Sequence, residues 1–273
     1  SAASDVYKRQ VYGSDELARL TESFNEMLKS LQESRERQSQ LVADAGHELK
    51  TPLTSLRTNI ELLMMASKNP SDTITPDDIA DLEHDVMSQL EELTNLVTDL
   101  VDLAREDSQH SVVEPIDLGE ILDGVIDRVR RRRLDIKFTF NLIDWYLMGD
   151  QRGLSRAFLN VLDNAAKWSP ENGTVTMTMQ QIDDDRVEIT VDDEGPGIPA
   201  DERELVFERF YRSVESRAMP GSGLGLAIVK QVMESHGGSV RAEESPRGGN
   251  RMVLELPGGP QITSNNNEAM RIS

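Results

Sequence analysis

Long apolar stripes with the spacing of an α-helix dominate the first part of the chain. Large apolar residues recur every three or four positions over residues 14–31, 41–66 and 79–104, which places each set on one helix face. The last two stripes, separated by a short break, predict a helical hairpin. A single hairpin buries its stripes poorly, so we expect two copies to pack as a four-helix bundle in a homodimer.

The sequence pattern changes after Glu114-Pro115. Stretches in which apolar and polar residues alternate predict strands, because successive strand side chains point to opposite faces. Strands are expected over residues 135–142, 144–148, 174–182, 186–191, 239–244 and 251–256. Helices are expected over residues 118–129, 150–168 and 226–236. The predicted fold class is therefore an α+β two-layer sandwich of about five strands backed by helices on one face.

Composition excludes several classes of function. The net charge of −20 makes nucleic acid an unfavourable partner, and the absence of cysteine excludes disulfides and thiolate chemistry. No apolar run of about 18 residues occurs, so any sensor or membrane anchor is expected to lie outside this chain. Residues 1–13 are interpreted as a non-native or disordered start, and the polar residues 258–273 as a disordered tail.

His47 is the first candidate catalytic residue. At about 100 degrees per residue it faces roughly 160 degrees away from Leu49, and Thr51 lies one turn along the same exposed face. A neutral imidazole is a competent nucleophile, and the adjacent Glu48 could accept its ring proton. An exposed histidine beside a glutamate is also ordinary protein surface. The weight of this evidence therefore depends on the segments that follow.

Three polar residues share one face of the helix predicted over residues 150–168. Asn160, Asn164 and Lys167 fall within about 40 degrees of one another. Two amide oxygens one turn apart could hold Mg²⁺ that bridges phosphates, and Lys167 could reach the same phosphates. Trp168 follows them and could pack near a base. The alternative, a solvated polar face, explains any one of these residues better than it explains all of them together.

Two glycine-rich segments follow this helix. The first ends a predicted strand with Asp193, Gly195, Gly197 and Ile198; its carboxylate could accept a hydrogen bond from the exocyclic amine of adenine. An ordinary turn would explain its glycines but not the carboxylate. The second segment opens a helix, whose free N–H groups attract phosphate. Its residues are Gly221, Gly223, Leu224, Gly225 and Leu226.

The stretch FERFYR, residues 207–212, lies between the two glycine-rich segments. Its aromatic and basic side chains are expected to close over a bound nucleotide. Arg209 is the candidate for neutralising charge on a transferred phosphoryl group. The chain has no GxxxxGK[ST] sequence, so this nucleotide site is not a P-loop.

In order and spacing, these segments resemble the sensor histidine kinases of two-component systems. GHELKTPLTSLRTN resembles the phosphoacceptor box, NVLDNAAKW the N box, DEGPGI the first glycine box, FERFYR the F box and GSGLGL the second glycine box. Residues 14–36 resemble the end of a HAMP signal-transmission module. By the same resemblance, residues 37–110 form a dimerisation and phosphotransfer domain, and residues 111–257 an ATP-binding domain of the Bergerat (GHKL) type.

The resemblance implies a complete reaction cycle. His47 would be phosphorylated from ATP, with Glu48 accepting its proton, and would pass the phosphate to an aspartate of a response regulator receiver domain. Thr51 would orient water when the same surface dephosphorylates the regulator. The ATP-binding domain would swing on residues 111–115. The chain would be the cytoplasmic portion of a membrane-anchored bacterial protein, with a transmembrane sensor upstream.

The resemblance also implies the roles of the nucleotide-site residues. Asn160 and Asn164 would hold Mg²⁺, Lys167 would contact phosphate, Asp193 would select adenine, and the glycines would shape the pocket and its lid. Glu194 and Trp168 stand where the family often has asparagine and tyrosine or phenylalanine, a difference that could tune ATP affinity. Two alternatives stay open: another ATPase or kinase of the same superfamily, and a nucleotide-binding scaffold without catalysis.

Overall fold

The computed structural model describes residues 13–68, 75–106, 113–213, 216, 219 and 221–261. Residues 1–12 of the predicted disordered start and most of the predicted tail lie outside these residues, whereas Gly13, the last residue of that start, begins a helix. The chain divides into two compact units, Ser1–Thr51 and Pro52–Ser273. None of the helices in the described ranges is long and apolar enough to cross a bilayer.

Helix α1 spans Gly13–Lys68 without interruption, so the two stripes predicted over residues 14–31 and 41–66 belong to one helix. The helix continues through Pro52, although proline removes one backbone hydrogen bond from a helix. In the first unit, large apolar side chains of the stripe, such as Leu20 and Phe24, are exposed. The stripe on this part of α1 is therefore an exposed apolar surface.

Helix α2 spans Pro76–Glu106 and begins with a reciprocal cap. The Thr75 backbone N–H and hydroxyl both donate to Asp78 Oδ2, at 2.8 and 2.7 Å, and the Asp78 N–H donates back to Thr75 Oγ1 at 3.2 Å. Within the second unit, Gln89 of α2 donates to the Ser55 hydroxyl of α1 at 3.0 Å. The predicted helical hairpin is thereby confirmed.

An α+β sandwich forms the rest of the second unit. Its strands are β1 Glu114–Asp117, β2 Lys137–Asn141, β3 Tyr146–Gly149, β4 Thr174–Asp183, β5 Arg186–Asp192, β6 Ser239–Glu244 and β7 Asn250–Pro257. Its helices are α3 Leu118–Arg132, α4 Gln151–Trp168 and α5 Gly225–Ser235, with a short 3₁₀ turn at Leu205–Phe207.

Five of these strands form one mixed sheet in the order β2-β4-β5-β7-β6, in which only the β2–β4 pair is parallel. Buried side chains alternate along β4 and β5, which produces one apolar face. Helices α4 and α5 pack against the sheet. The predicted two-layer sandwich is therefore confirmed, with its core between the sheet and the helices.

The edge of the sandwich differs from the prediction in two ways. The strand expected at residues 144–148 does not join the main sheet; as β3 it pairs with β1, a four-residue strand that the sequence pattern did not reveal. The predicted disordered tail is also wrong for its first residues. Gly258 donates to the Asp185 carbonyl at 2.9 Å, and Gly259 and Tyr146 exchange two backbone hydrogen bonds.

The predicted hinge over residues 111–115 also needs correction. Glu114 and Pro115 belong to β1, where they pair with Gly149 and Met148 of β3. A swing about these two residues would break that pairing. Of the other three residues of the predicted hinge, Val113 is among the described residues. Residues 111 and 112 lie outside the described part of the chain.

Candidate functional site

A pocket of about 900 Å³ lies within the second unit, between α2, α4, the start of α5 and the carboxyl end of β5. Most residues expected from the sequence to bind nucleotide line it. They are Asn160, Asn164, Lys167, Trp168, Asp193, Gly197, Ile198, Gly221, Gly223, Gly225 and Leu226. Residues distant in the sequence thus share one cavity, large enough for a nucleotide.

Helix α4 supplies the polar residues along one side of the pocket. The helix starts at a cap in which Asp150 accepts the Arg152 N–H at 2.9 Å, and its opposite face is buried. The side-chain amide nitrogen of Asn160 donates to the Gly225 carbonyl at 3.2 Å. Its amide oxygen is then the group available to a cation, beside Asn164 one turn further along.

Lys167 stands next to the second glycine-rich segment. A Cβ placed on Gly221 would lie 3.1 Å from its Nζ, and the Nζ is 5.4 Å from the centroid of the Trp168 ring. Burial lowers the pKa of Lys167, and the positive charge of Arg212 lowers it further. A negatively charged ligand beside Lys167 would act in the opposite direction and raise its pKa.

Asp193 is buried at the end of β5, with 2% of its surface exposed. Its Oδ1 accepts the backbone N–H groups of Gly195 at 2.9 Å and Asn250 at 3.0 Å. Burial nevertheless raises the pKa of this carboxyl, with these two hydrogen bonds acting in the opposite direction.

Asn250, beside Asp193, was not identified from the sequence. Its side chain lines the pocket, and its buried Oδ1 has no hydrogen-bond partner within the described residues. Because this oxygen has almost no accessible surface, it does not itself face a ligand. The carboxylate of Asp193, which also lines the pocket, is the acceptor that suits a ligand with a donor group, such as the exocyclic amine of adenine.

Two predicted residues support the pocket without lining it. Gly195 lies so close to the backbone of Trp168 that a Cβ on Gly195 would be 2.7 Å from the Trp168 carbonyl oxygen. Leu224 is fully buried and caps the start of α5. Neither residue is among those that line the pocket, so their predicted contact with nucleotide stays a prediction.

The F box and the second glycine box touch through their backbones. The Phe210 N–H donates to the Gly223 carbonyl at 3.0 Å. Phe210 has a φ of 62°, which is uncommon for a bulky residue, and Gly223 has a φ of 70°. A Cβ on Gly223 would lie 2.9 Å from the Phe210 backbone, so only glycine fits there.

The structure places the two arginines of the F box differently from the prediction. Arg209 donates to the Gln231 side chain of α5 at 3.4 Å and is not among the residues that line the pocket. Arg212 does line it, and donates to the Ser216 carbonyl at 2.6 Å and to the Met219 carbonyl. Both arginines fit the same sequence pattern, and only the fold separates them. Of the two arginines only Arg212 lines the pocket in this structure, and the predicted role of Arg209 stays a prediction.

The first unit carries the second group of candidate residues. His47, Glu48 and Thr51 all lie on α1 and are exposed, whereas Ala45 and Leu49 are partly buried. The predicted orientation of His47 away from the apolar stripe agrees with this exposure. Its imidazole is accessible to a partner domain.

Comparisons with known proteins agree with this geometry. Residues 37–109 match the model of the "His Kinase A (phospho-acceptor) domain", and residues 149–260 match that of the "Histidine kinase-, DNA gyrase B-, and HSP90-like ATPase". The chain is also similar to a solved structure, "Mycobacterial sensor histidine kinase MprB", at 51% identity and a TM-score of 0.52, over 55% of this chain and 100% of that one. The chain belongs to the sensor histidine kinases.

Longer relatives within the sensor histidine kinases are more similar still. The "Signal transduction histidine-protein kinase/phosphatase MprB" of Mycolicibacterium smegmatis is 59% identical over 246 residues, covering 90% of this chain and 50% of the relative. The protein of the same name from Mycobacterium leprae is 59% identical over 265 residues, covering 95% of this chain and 51% of the relative. The chain thus spans about half the length of the curated relatives it matches.

In this sensor histidine kinase, the two regions matched by the family models contain different groups of candidate residues. The phospho-acceptor match contains His47, Glu48 and Thr51, and the ATPase match contains the pocket residues of α4, β5 and α5. Helix α2 also contributes side chains to the pocket, among them Glu92 and Asp99. Motif reading missed these two residues because nothing in their local sequence marks them as part of a nucleotide site.

Proposed function

We propose that the chain uses ATP to phosphorylate its own His47 and then passes the phosphoryl group to an aspartate of a response regulator receiver domain. The observation that carries this proposal is a single pocket that combines three kinds of group. Asp193 offers an acceptor suited to adenine, Lys167 and Gly221 offer donors suited to phosphate, and the amide oxygens of the N box suit Mg²⁺.

Each residue has a defined part in the proposed transfer. A ring nitrogen of His47 attacks the γ-phosphorus of ATP, the bond from phosphorus to the β,γ-bridging oxygen breaks, and ADP leaves. Glu48 accepts the proton released from the imidazole ring. Lys167 and Arg212 neutralise charge on the phosphates, while Asp193 fixes the adenine end.

Mg²⁺ is part of the proposal because the donor set suits it. Asn160 and Asn164 would hold the ion through their amide oxygens, with water and phosphate oxygens as the remaining ligands. Bound there, the ion would supply positive charge to the transferred phosphoryl group. Asn160 would keep its oxygen oriented by its hydrogen bond to Gly225.

Phosphatase activity toward the response regulator is the second part of the proposal. Thr51 is exposed one turn from His47 on α1, where its hydroxyl could orient a water molecule on a docked receiver domain. The name of the mycobacterial relatives includes a phosphatase activity, which supports extending the same role to this chain.

We also infer a homodimer, and the apolar surface of the hairpin supports it. Large side chains on α2 are exposed, including Met87 at 58%, Leu90 at 42% and Val97 at 47%. A second hairpin would cover them in a four-helix bundle.

We also propose the domains that the sequence predicts. Residues 14–36 would be the end of a HAMP module, and a transmembrane sensor upstream of them would anchor the catalytic part, which would be cytoplasmic.

Incubation with γ-labelled ATP tests the central proposal. Wild type should acquire a label that is lost in acid and kept in base, as expected for a phosphoramidate. Asn164→Ala should lose labelling because the nucleotide site is damaged, and His47→Gln should lose labelling while still binding ATP. A folded His47→Gln variant that labels as well as wild type would falsify the assignment.

The same experiment separates the two alternatives. ATP binding without label transfer in wild type would favour a nucleotide-binding scaffold. ATP hydrolysis that is unchanged in His47→Gln would favour another ATPase of the superfamily. Addition of a receiver domain to labelled protein then tests the second step, since the label should move to the receiver aspartate.

A further inference from the structure

Helix α2 presents two carboxylates to the second glycine-rich segment. Glu92 Oε1 accepts the backbone N–H of Gly221 at 2.8 Å, and Asp99 Oδ2 accepts the Ser222 hydroxyl at 3.0 Å. Glu92 and Asp99 are seven residues apart, so they lie on one face of α2. All four residues line the pocket. The hairpin helix is therefore hydrogen-bonded directly to the segment expected to bind phosphate.

These carboxylates also face the cations of the pocket. Asp99 Oδ1 forms an ion pair with Arg156 of α4, in which the side chains of Asp99 and Arg156 are 13% and 24% exposed. Burial is the main cause of the lowered pKa of Lys167, and the negative charge of Glu92 acts against it. Glu92 is thus within electrostatic reach of the lysine proposed to contact phosphate.

The groups that bind Glu92 and Asp99 are those that bind phosphate in proteins. A backbone N–H at a glycine-rich turn, a hydroxyl and a guanidinium all donate to anionic oxygens. In this structure they donate to carboxylate oxygens. A nucleotide phosphate that reached the Gly221 N–H would have to displace Glu92, because two anions repel each other and compete for one donor.

We propose that Glu92 and Asp99 form an acidic latch, in which two carboxylates of α2 imitate phosphate oxygens and hold the glycine-rich segment. The latch competes with the phosphates of Mg²⁺-ATP. This inference rests on the proposed nucleotide site and adds its regulation. Movement of α2 away from the pocket raises the affinity for ATP. By the same factor, ATP binding weakens the contact between α2 and the glycine-rich segment.

Nucleotide titrations with Glu92→Gln test the acidic latch. The variant keeps the shape of the side chain and removes its charge, so we expect Mg²⁺-ATP to bind about tenfold more tightly than to wild type. Asp99→Asn should act in the same direction. Glu83→Gln, an equal charge change at an exposed position of α2 outside the pocket, is the matched control and should leave the affinity unchanged.

Adenosine separates phosphate competition from simple blockage. It lacks phosphates, so Glu92→Gln should bind it no more tightly than wild type does. An equal gain for adenosine and ATP would mean that α2 obstructs the whole pocket, and would overturn the phosphate-like role of Glu92. Hydrogen exchange gives an independent readout: without nucleotide, the Gly221 amide should exchange faster in Glu92→Gln than in wild type.

The outcomes distinguish this inference from the function on which it rests. If wild type binds no Mg²⁺-ATP, the proposed nucleotide site fails, and the latch fails with it. If wild type binds Mg²⁺-ATP and Glu92→Gln has the same affinity and the same Gly221 exchange rate, only the latch is wrong. Circular dichroism spectra of all variants check that each is folded.

Discussion

The side-chain nitrogen of Asn160 and the carbonyl oxygen of Gly225 are hydrogen-bonded at 3.2 Å, which links the middle of α4 to the first residue of α5. The same amide therefore has two tasks. Its nitrogen fixes the start of the glycine-rich helix, and its oxygen is left for a cation in the pocket.

In the Asn160→Ala variant, Mg²⁺ should no longer increase the affinity for ATP. The variant removes the amide oxygen proposed as a metal ligand, so affinity for ATP with Mg²⁺ should fall at least about tenfold. Affinity for ATP without Mg²⁺ should fall less. Calorimetric titration with and without the metal measures the ratio, and Asn141→Ala, at the exposed end of β2, is the control. An unchanged ratio would remove Asn160 from the metal site.

Asp193→Asn should make the protein more stable and a poorer binder of ATP. Because burial raises the pKa of Asp193, its ionised form at neutral pH destabilises the fold, and this cost disappears as the pH falls through the raised pKa. The gain in unfolding free energy should be present at neutral pH and vanish in acid. ATP affinity should fall about tenfold, since the amide offers adenine a weaker acceptor.

Urea unfolding at several pH values, combined with ATP titration, checks both effects of Asp193→Asn. Asp184→Asn, in the exposed turn between β4 and β5, is the matched control and should change neither property. A loss of stability at neutral pH would show that the charge of Asp193 stabilises the fold, contrary to the direction of its pKa shift.

ATP binding should take up a proton at Lys167 and weaken as the pH rises. Burial and Arg212 lower the pKa of Lys167 in the free protein, and bound phosphate favours the charged form. Affinity should therefore decline as the pH rises through this lowered pKa. Lys167→Arg stays charged and should show a flatter profile, whereas Lys137→Arg, exposed on β2, should behave as wild type.

Calorimetry in buffers with different ionisation enthalpies measures this proton uptake directly. Equal apparent enthalpies in all buffers, in the pH range where the wild-type affinity declines, would mean that another group causes the decline.

Gly223→Ala should damage the pocket much more than Gly248→Ala. Both glycines have positive φ, 70° and 92°, so alanine strains the backbone at either position by about 1 kcal/mol. Only at Gly223 would the new Cβ also contact neighbouring backbone, at 2.9 Å from Phe210, whereas nothing lies within 4 Å of a Cβ on Gly248. Comparison of ATP affinity and thermal unfolding separates strain from close contact; equal losses would contradict the proposed packing.

Periodic patterns in the sequence predicted the elements in which apolar and polar side chains lie on different faces. The stripe on α1 and α2, the alternation along β4 and β5, and the polar line of Asn160, Asn164 and Lys167 all follow from local geometry. The structure keeps these features because each depends on neighbours within one helix or strand.

Features that depend on tertiary contacts were not predictable in the same way. Strand β1 is four residues long and includes Pro115, so it carries no alternation to detect. Arg209 and Arg212 differ only in what the fold places beside them, Gln231 in one case and the pocket in the other. In the sequence, Glu92 and Asp99 look like ordinary surface acids. Only the structure shows that α2 packs beside the glycine-rich segment and that these two residues contact it.

The pairing of β1 with β3 has a mechanical consequence. Strand β3 ends at Gly149, immediately before Asp150, the residue that caps α4. A pull on Glu114 therefore acts first on the end pair of the ladder, Glu114–Gly149, which lies next to the first turn of the helix that carries Asn160, Asn164 and Lys167. On its second side β3 is held to Gly259 through Tyr146. A load on Glu114 is thus delivered beside the N-terminus of the helix proposed to hold Mg²⁺.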